Sequence, residues 1–139
     1  MTTVIWKSGP GSSGNLPEKR RVIVEALGWQ VRMKSHVWIP PTDLYETDND
    51  YIVRVEIAGM RQQDFSVTLQ DDQLTISATR PDVSERRAYH QMEIRFGEFN
   101  TVVAIPGPVA AERSTAAYED GFLIVTLPKI MSTHIHPKE

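Results

Sequence analysis

The chain of 139 residues contains no cysteine. That absence excludes disulfide cross-links and thiolate metal sites, and it fits a reducing cytosol. No apolar run approaches the length needed to cross a bilayer. The opening stretch, MTTVIWKSGPGSSG, lacks the apolar centre of a secretory signal. A cytoplasmic protein with no membrane contact is the expectation. A phosphate-binding loop is lacking too. Gly9 and Gly14 stand at the right spacing, but Asn15 and Leu16 occupy the positions where lysine and a hydroxyl residue would hold phosphate and Mg²⁺. No nucleophile elbow or triad context surrounds the serines, carboxylates and His90. His134 and His136 are spaced as a metal pair, yet no carboxylate or third histidine stands nearby, so a solvated pair is the better reading. His36 and His90 are isolated. No catalytic, metal or cofactor site is assigned, and an enzyme is not expected.

What is present is an ordinary globular composition, 40% hydrophobic and 24% charged, at a length that suits one domain. The net charge of −3 is unevenly spread. Residues 1–37 carry Lys7, Lys19, Arg20, Arg21, Arg32 and Lys34 against Glu18 and Glu25, leaving an acidic remainder. A basic arm on an acidic body can signal nucleic-acid binding. Six cations spread over such a length read better as a solvated face that docks on acidic neighbours, and no nucleic-acid partner is expected.

Within that arm, KSGPGSSGN (7–15) reads as a flexible linker. Asn15 and Glu18 then resemble a capping box, with Pro17 in the first turn. Val22, Ile23, Ala26, Leu27 and Met33 fall near one helical face, with Trp29 beside it. The pattern predicts a short amphipathic helix, weakened by Gly28, with no core of its own to cover it.

From residue 38 the period changes to two. Tyr51, Val53, Val55 and Ile57 share one face; Phe65, Val67 and Leu69 another; Leu74, Ile76 and Ala78 a third. Such alternation indicates half-buried antiparallel strands. Asp71-Asp72 sits at hairpin spacing between two of them. FNTVVAI (99–105) and FLIVTL (122–127) are dense enough to suggest burial on both faces. Asp120-Gly121 supplies a tight turn, Leu123, Val125 and Leu127 are expected in the core, and Pro128 ends the last strand. Several short strands separated by turns predict a β-sandwich. Phe122 and Ile124 fall on the opposite face and call for a cover.

The segment PDVSERRAYHQMEIRF (81–96) is too long for a hairpin turn. Tyr89, Gln91 and Glu93 alternate with His90, Met92 and Ile94, which reads as a short strand inside a loop. Such a strand lacks backbone partners in its own chain and offers itself to a second one.

These residues resemble the small heat-shock proteins and their α-crystallin domain over residues 38–129. WIPPTDLYETDNDY is similar to the family's opening motif through Trp38, Pro40, Asp43 and Glu46. VEIAGMRQQDFSVTLQDDQLTISATR, RFGEF and LPK follow in the family's order, and AAYEDGFL matches through Ala116, Asp120, Gly121 and Leu123. Three positions depart: Ala78 stands where glycine is usual, Ile94 where arginine is frequent, and the tail keeps only Ile135, before Pro137, of the family's Ile-x-Ile hook.

The resemblance implies an all-β fold, an immunoglobulin-like β-sandwich at 38–129, between a partly helical arm at 1–37 and a tail at 130–139. It implies a homodimer in which the 88–94 segment, with Tyr89, His90, Met92 and Ile94, pairs with the partner's first strand near Trp38, Ile39 and Thr42. It further implies larger homo-oligomers, and a chaperone that holds partly unfolded clients without ATP. Val22, Ile23, Leu27, Trp29 and Met33 are the candidate client contacts. With the hook degraded, the arm is expected to hold the larger assembly. The alternative is a monomeric co-chaperone or adaptor built on the same sandwich.

Overall fold

The structure is a computed structural model and describes residues 2–6 and 37–130. Among the described residues eight strands form two four-stranded antiparallel sheets. One has the order β1 (Thr2–Trp6), β4 (Ser66–Gln70), β5 (Gln73–Arg80), β6 (Gly97–Ala104); the other has β2 (Thr42–Glu46), β3 (Asp50–Glu56), β8 (Phe122–Pro128), β7 (Thr115–Glu119). The β-sandwich read from the alternation, immunoglobulin-like as the resemblance implied, is therefore the fold.

Its core is the inward half of that alternation. Val53, Val55, Ile57, Phe65, Val67, Leu74, Ile76, Phe99, Leu123, Val125 and Leu127 are completely buried. Burying each such side chain contributes about 1.5–3 kcal/mol. Register pairs like with like: Val53 faces Val125, Val55 faces Leu123, and Leu69 faces Leu74. Tyr118 ties the layers together. Its ring lies 5.1 Å from that of Phe65, and its hydroxyl donates to the Ile57 carbonyl at 2.8 Å while accepting from the Met60 amide.

Two tight turns hold the hairpins. Asp71 sits at φ 57° between β4 and β5; Asp120 and Gly121, at 54° and 85°, join β7 to β8. The paired positive φ values at Asp120-Gly121 suit a two-residue turn between twisted strands; in the Asp71-Asp72 turn only Asp71 is positive.

Burial on both faces at 99–105 and 122–127 does not occur. Val102 is 53% exposed, Phe122 is exposed and Ile124 is half-buried. The sandwich has only two layers, so the outward face of each strand meets solvent. The cover expected over Phe122 is the Arg54 guanidinium, 5.9 Å from the ring centre.

The 1–37 boundary needs one amendment. Thr2–Trp6 is not outside the sandwich but forms β1, paired along β4. The amphipathic helix, its candidate contacts Val22, Ile23, Leu27, Trp29 and Met33, and Ile135 of the tail lie outside the described residues.

Candidate interaction surfaces

The 81–96 loop leaves the sandwich at Arg80 and returns at Gly97, residues that are paired across β5 and β6. Arg80 pins its base. Its guanidinium donates to the Arg95 carbonyl from two nitrogens and to the Ala58 carbonyl at 3.3 Å. The same group lies 4.7 Å from the Trp38 ring centre and 5.4 Å from that of Phe96. Further out, Arg87 organises the loop. It bridges to Asp82 at 3.5 Å and Glu85 at 3.3 Å, and donates to the Val83 carbonyl and, at 2.7 Å, to the Tyr89 hydroxyl.

Nothing in this loop from Pro81 to Arg95 is buried. Met92 and Ile94 are 62% and 65% exposed, and Tyr89 and Val83 are also open. The short strand anticipated at 88–94 does not form in the single chain. A strand is defined by a backbone partner, and no residue of 88–94 enters a ladder of its own chain. Its alternating residues stay outside any ladder, and the backbone bends at His90. Tyr89, Met92 and Ile94 line a shallow apolar groove of about 350 Å³.

One outer strand of the other sheet is β2, with β7 at the opposite edge. Thr47 bonds back to Asp50, and Glu56 donates to the Pro41 carbonyl. Antiparallel bonding alternates between these limits, so Asp43 and Tyr45 bond to β3, and the backbone groups of Thr42, Leu44 and Glu46 point outward. Leu44 and Tyr45 are exposed beside them.

This edge corrects the partner segment anticipated near Trp38–Thr42. Trp38 is a core residue: its ring is buried 5.5 Å from Phe99, and its backbone amide and carbonyl are both bonded to β6. Pro40 and Pro41 have no amide to give. Ile39 is 74% exposed but stands between these fixed points. The available ladder begins at Thr42 and runs to Glu46.

The motif carboxylates fasten that edge. Asp43 pairs with Arg54 at 3.1 Å, and Glu46 with Lys129 at 2.6 Å. The hydrogen bond that Lys129 donates to Glu46 raises the lysine pKa above its ordinary value of 10.5. Lys129 Nζ also lies 5.2 Å from the Tyr51 ring centre. Of the other motif residues, Ala116 packs half-buried on the core opposite Val125, Leu123 is buried, and Gly121 makes the turn.

The second edge of interest, on β4, is covered by β1. Ile5 and Trp6 pack against the core, with the Trp6 ring 6.1 Å from Phe65. Beside Thr3 an open groove of about 500 Å³ runs between Leu69 and the Ile105–Val109 turn.

Sequence reasoning missed Leu44, Tyr45, Arg80, Arg87 and the whole of β1. Thr-Thr-Val-Ile-Trp is rich in residues that favour strands, a signal that was available. His90 is exposed. Among the described residues no group of three or more histidines and carboxylates could hold a metal ion. Nor does any buried side-chain polar atom there lack a partner.

The Hsp20/alpha crystallin family model matches residues 43–139. The chain belongs to that family. Small heat shock protein C2 of Rickettsia felis is 33% identical over 93 residues, which is 66% of this chain and 60% of that protein. Heat shock protein 16 of Schizosaccharomyces pombe is 34% identical over 95 residues, 66% of each chain. The chain thus spans less than two thirds of the length of these curated relatives. Among solved structures, this Hsp20-family chain superposes on a small heat-shock protein from Xylella fastidiosa with a TM-score of 0.64 at 26% identity, covering 73% of this chain and 94% of that one. Heat shock protein 16.0 from Schizosaccharomyces pombe gives 0.61 at 30% identity, covering 73% and 96%. Among the described residues no helix is long and apolar enough to cross a membrane.

Proposed function

We propose that this chain is an ATP-independent holdase chaperone that works as an assembly of homodimers. The observation that carries the reading is the pair of incomplete surfaces: an exposed segment at 88–94 that belongs to no strand and presents Tyr89, Met92 and Ile94, and an outer strand edge at Thr42–Glu46. In a dimer, the segment of one chain adds to β2 of the other. Main-chain hydrogen bonds supply affinity, and Met92 and Ile94 leave water. The Asp43–Arg54 and Glu46–Lys129 pairs keep the acceptor straight.

Clients are partly unfolded proteins that expose apolar surface and strand edges. Capture needs only reversible burial at roughly 25 cal/mol per Å², so a few hundred Å² suffices. The arm residues Val22, Ile23, Leu27, Trp29 and Met33 supply the exchangeable apolar face in this proposal, residues 38–129 form the rigid module, and residues 130–139 form a tail. The arm holds dimers together in the larger assembly.

Light scattering of a heat-destabilised client tests the activity. The chain suppresses aggregation equally with and without ATP. The variant with Val22, Ile23, Leu27 and Trp29 replaced by Ser stays folded and protects less. No protection at equal mass, or protection only with ATP, returns the monomeric adaptor reading.

A further inference from the structure

The 81–96 loop buries no residue from Pro81 to Arg95, yet the side chain of Arg87 is only 29% exposed. Its partners all belong to its own loop. The guanidinium reaches the Asp82 carboxylate at 3.5 Å and that of Glu85 at 3.3 Å, and donates to the Val83 carbonyl at 3.0 Å and the Tyr89 hydroxyl at 2.7 Å. It also lies 5.6 Å from the Tyr89 ring centre. The Val83 amide donates to Asp82 at 2.7 Å and closes the same cluster. A planar fork with five donors can span four such groups at once, which a lysine cannot.

Three of these four partners precede Arg87, so residues 82–87 form a closed base and the free segment starts after it. Tyr89 is the one partner within that segment. In an extended chain Arg87, Tyr89, Gln91 and Glu93 share a face, and His90, Met92 and Ile94 share the other. Gln91 donates to Glu93 at 2.8 Å on the first face. The bend at His90 interrupts this alternation in the single chain, and straightening along an acceptor edge restores it. The edge at β2 is two-faced as well. Thr42 turns inward, 3.1 Å from the buried Thr101 hydroxyl, and Leu44 follows it on that face. Asp43 and Tyr45 face outward beside Arg54. A slip of one residue in the added segment would turn Met92 and Ile94 to solvent and drive Gln91 and Glu93 inward.

We propose that Arg87 is the positioning residue that decides which face the 88–94 segment shows to a second copy of this chain. By holding Tyr89 to the closed base, it commits the Tyr89, Gln91 and Glu93 face to the outer side, toward Arg54. Met92 and Ile94 are then left for the Leu44 side. This role rests on the loop exchange proposed above, and it adds the side chain that sets the register of that exchange. Because the clasp is built from ion pairs near the surface, salt loosens it.

The absence of native cysteine makes the test clean. Side chains on one face of paired strands come close enough for a disulfide with small adjustment, and those on opposite faces do not. Full-length Leu44→Cys is mixed in turn with full-length Met92→Cys, Ile94→Cys, Gln91→Cys and Glu93→Cys under mild oxidation. The disulfide species of twice the chain mass is counted above each variant alone. The better of Met92→Cys and Ile94→Cys should exceed the better of Gln91→Cys and Glu93→Cys several-fold. Adding Arg87→Gln to every variant should bring that ratio toward one, and Arg87→Lys, which keeps the charge without the fork, should restore it only in part. High salt should lower the ratio when Arg87 is present and leave the Arg87→Gln series unmoved. A merely stabilising Arg87 would change all four yields together and keep the ratio. A ratio that Arg87→Gln does not move therefore overturns the proposal while the exchange itself stands. Cross-linking to Leu44→Cys from none of the four positions, with or without Arg87, removes the exchange and the proposal with it.

Discussion

The β7–β8 hairpin and the 81–96 loop are both built on alternating apolar residues, and the chain treats them in opposite ways. In the hairpin, a two-residue turn at Asp120-Gly121 returns the chain onto a strand that fills the sandwich, with Leu123, Val125 and Leu127 completely buried. In the loop, no residue from Pro81 to Arg95 is buried, and Met92 and Ile94 face solvent. The same pattern makes a core where the chain supplies a partner strand, and an exposed segment where it does not. The hairpin should thus govern stability and the loop association.

Substitutions can break that division. The largest effect is expected at Leu123→Ala, which leaves a cavity among fully buried neighbours and should cost about 2–5 kcal/mol in denaturant unfolding. A loss below 1 kcal/mol would mean that the core relaxes around the site. In the loop, Met92→Ser with Ile94→Ser should remove about 3 kcal/mol of burial between chains, roughly a hundredfold in dimer Kd, as measured by dilution. The melting temperature of the sandwich should not follow. Gly121→Val places a β-branched residue at φ 85° and should cost about 1–3 kcal/mol, seen as a lower Tm without a change of mass at equal folded fraction. An unchanged Tm would mean that the turn rearranges freely.

The smallest effect concerns Lys129. Its hydrogen bond with Glu46 raises its pKa above 10.5, so the protonated lysine is favoured by folding. That contribution is fully present below about 10.5, the unfolded value, and is lost as pH rises through the higher folded value. Removing the ammonium with Lys129→Met should make the alkaline end of the stability profile shallower and leave neutral pH nearly unaffected, since the pair lies at the surface. An identical alkaline slope in both proteins would dismiss the pair as a contributor.

The sandwich was legible because period-two alternation maps directly onto which side chains face inward. Tyr51 to Ile57, Phe65 to Leu69 and Leu74 to Ile76 all read correctly. The dense runs at 99–105 and 122–127 misled, because hydrophobicity alone does not reveal that only two layers exist and that Arg54 shields Phe122. The outer strand edge begins a few residues later than the Trp38–Thr42 expected from the sequence, for a related reason. Trp38 looks like the start of a strand, but its ring is needed in the core and its backbone is consumed by β6, which leaves Thr42–Glu46 as the edge. Arg80 and Arg87 carry no periodic signal; their roles come from loop geometry. β1 could not be placed because its partner β4 lies more than 60 residues away in sequence and nothing local selects that pairing.

The division between hairpin and loop is tested most directly by the solution mass of a chain lacking residues 83–93, measured by light scattering. Pro81, Asp82, Ile94, Arg95 and Phe96 then join Arg80 to Gly97, a loop length that suits a hairpin. Arg80 keeps its carbonyl acceptor on Arg95. The account predicts a folded monomer with the melting temperature of the sandwich, against a dimer or larger species for the chain with its loop intact. A loop-deleted chain that keeps the mass of the intact one would contradict it.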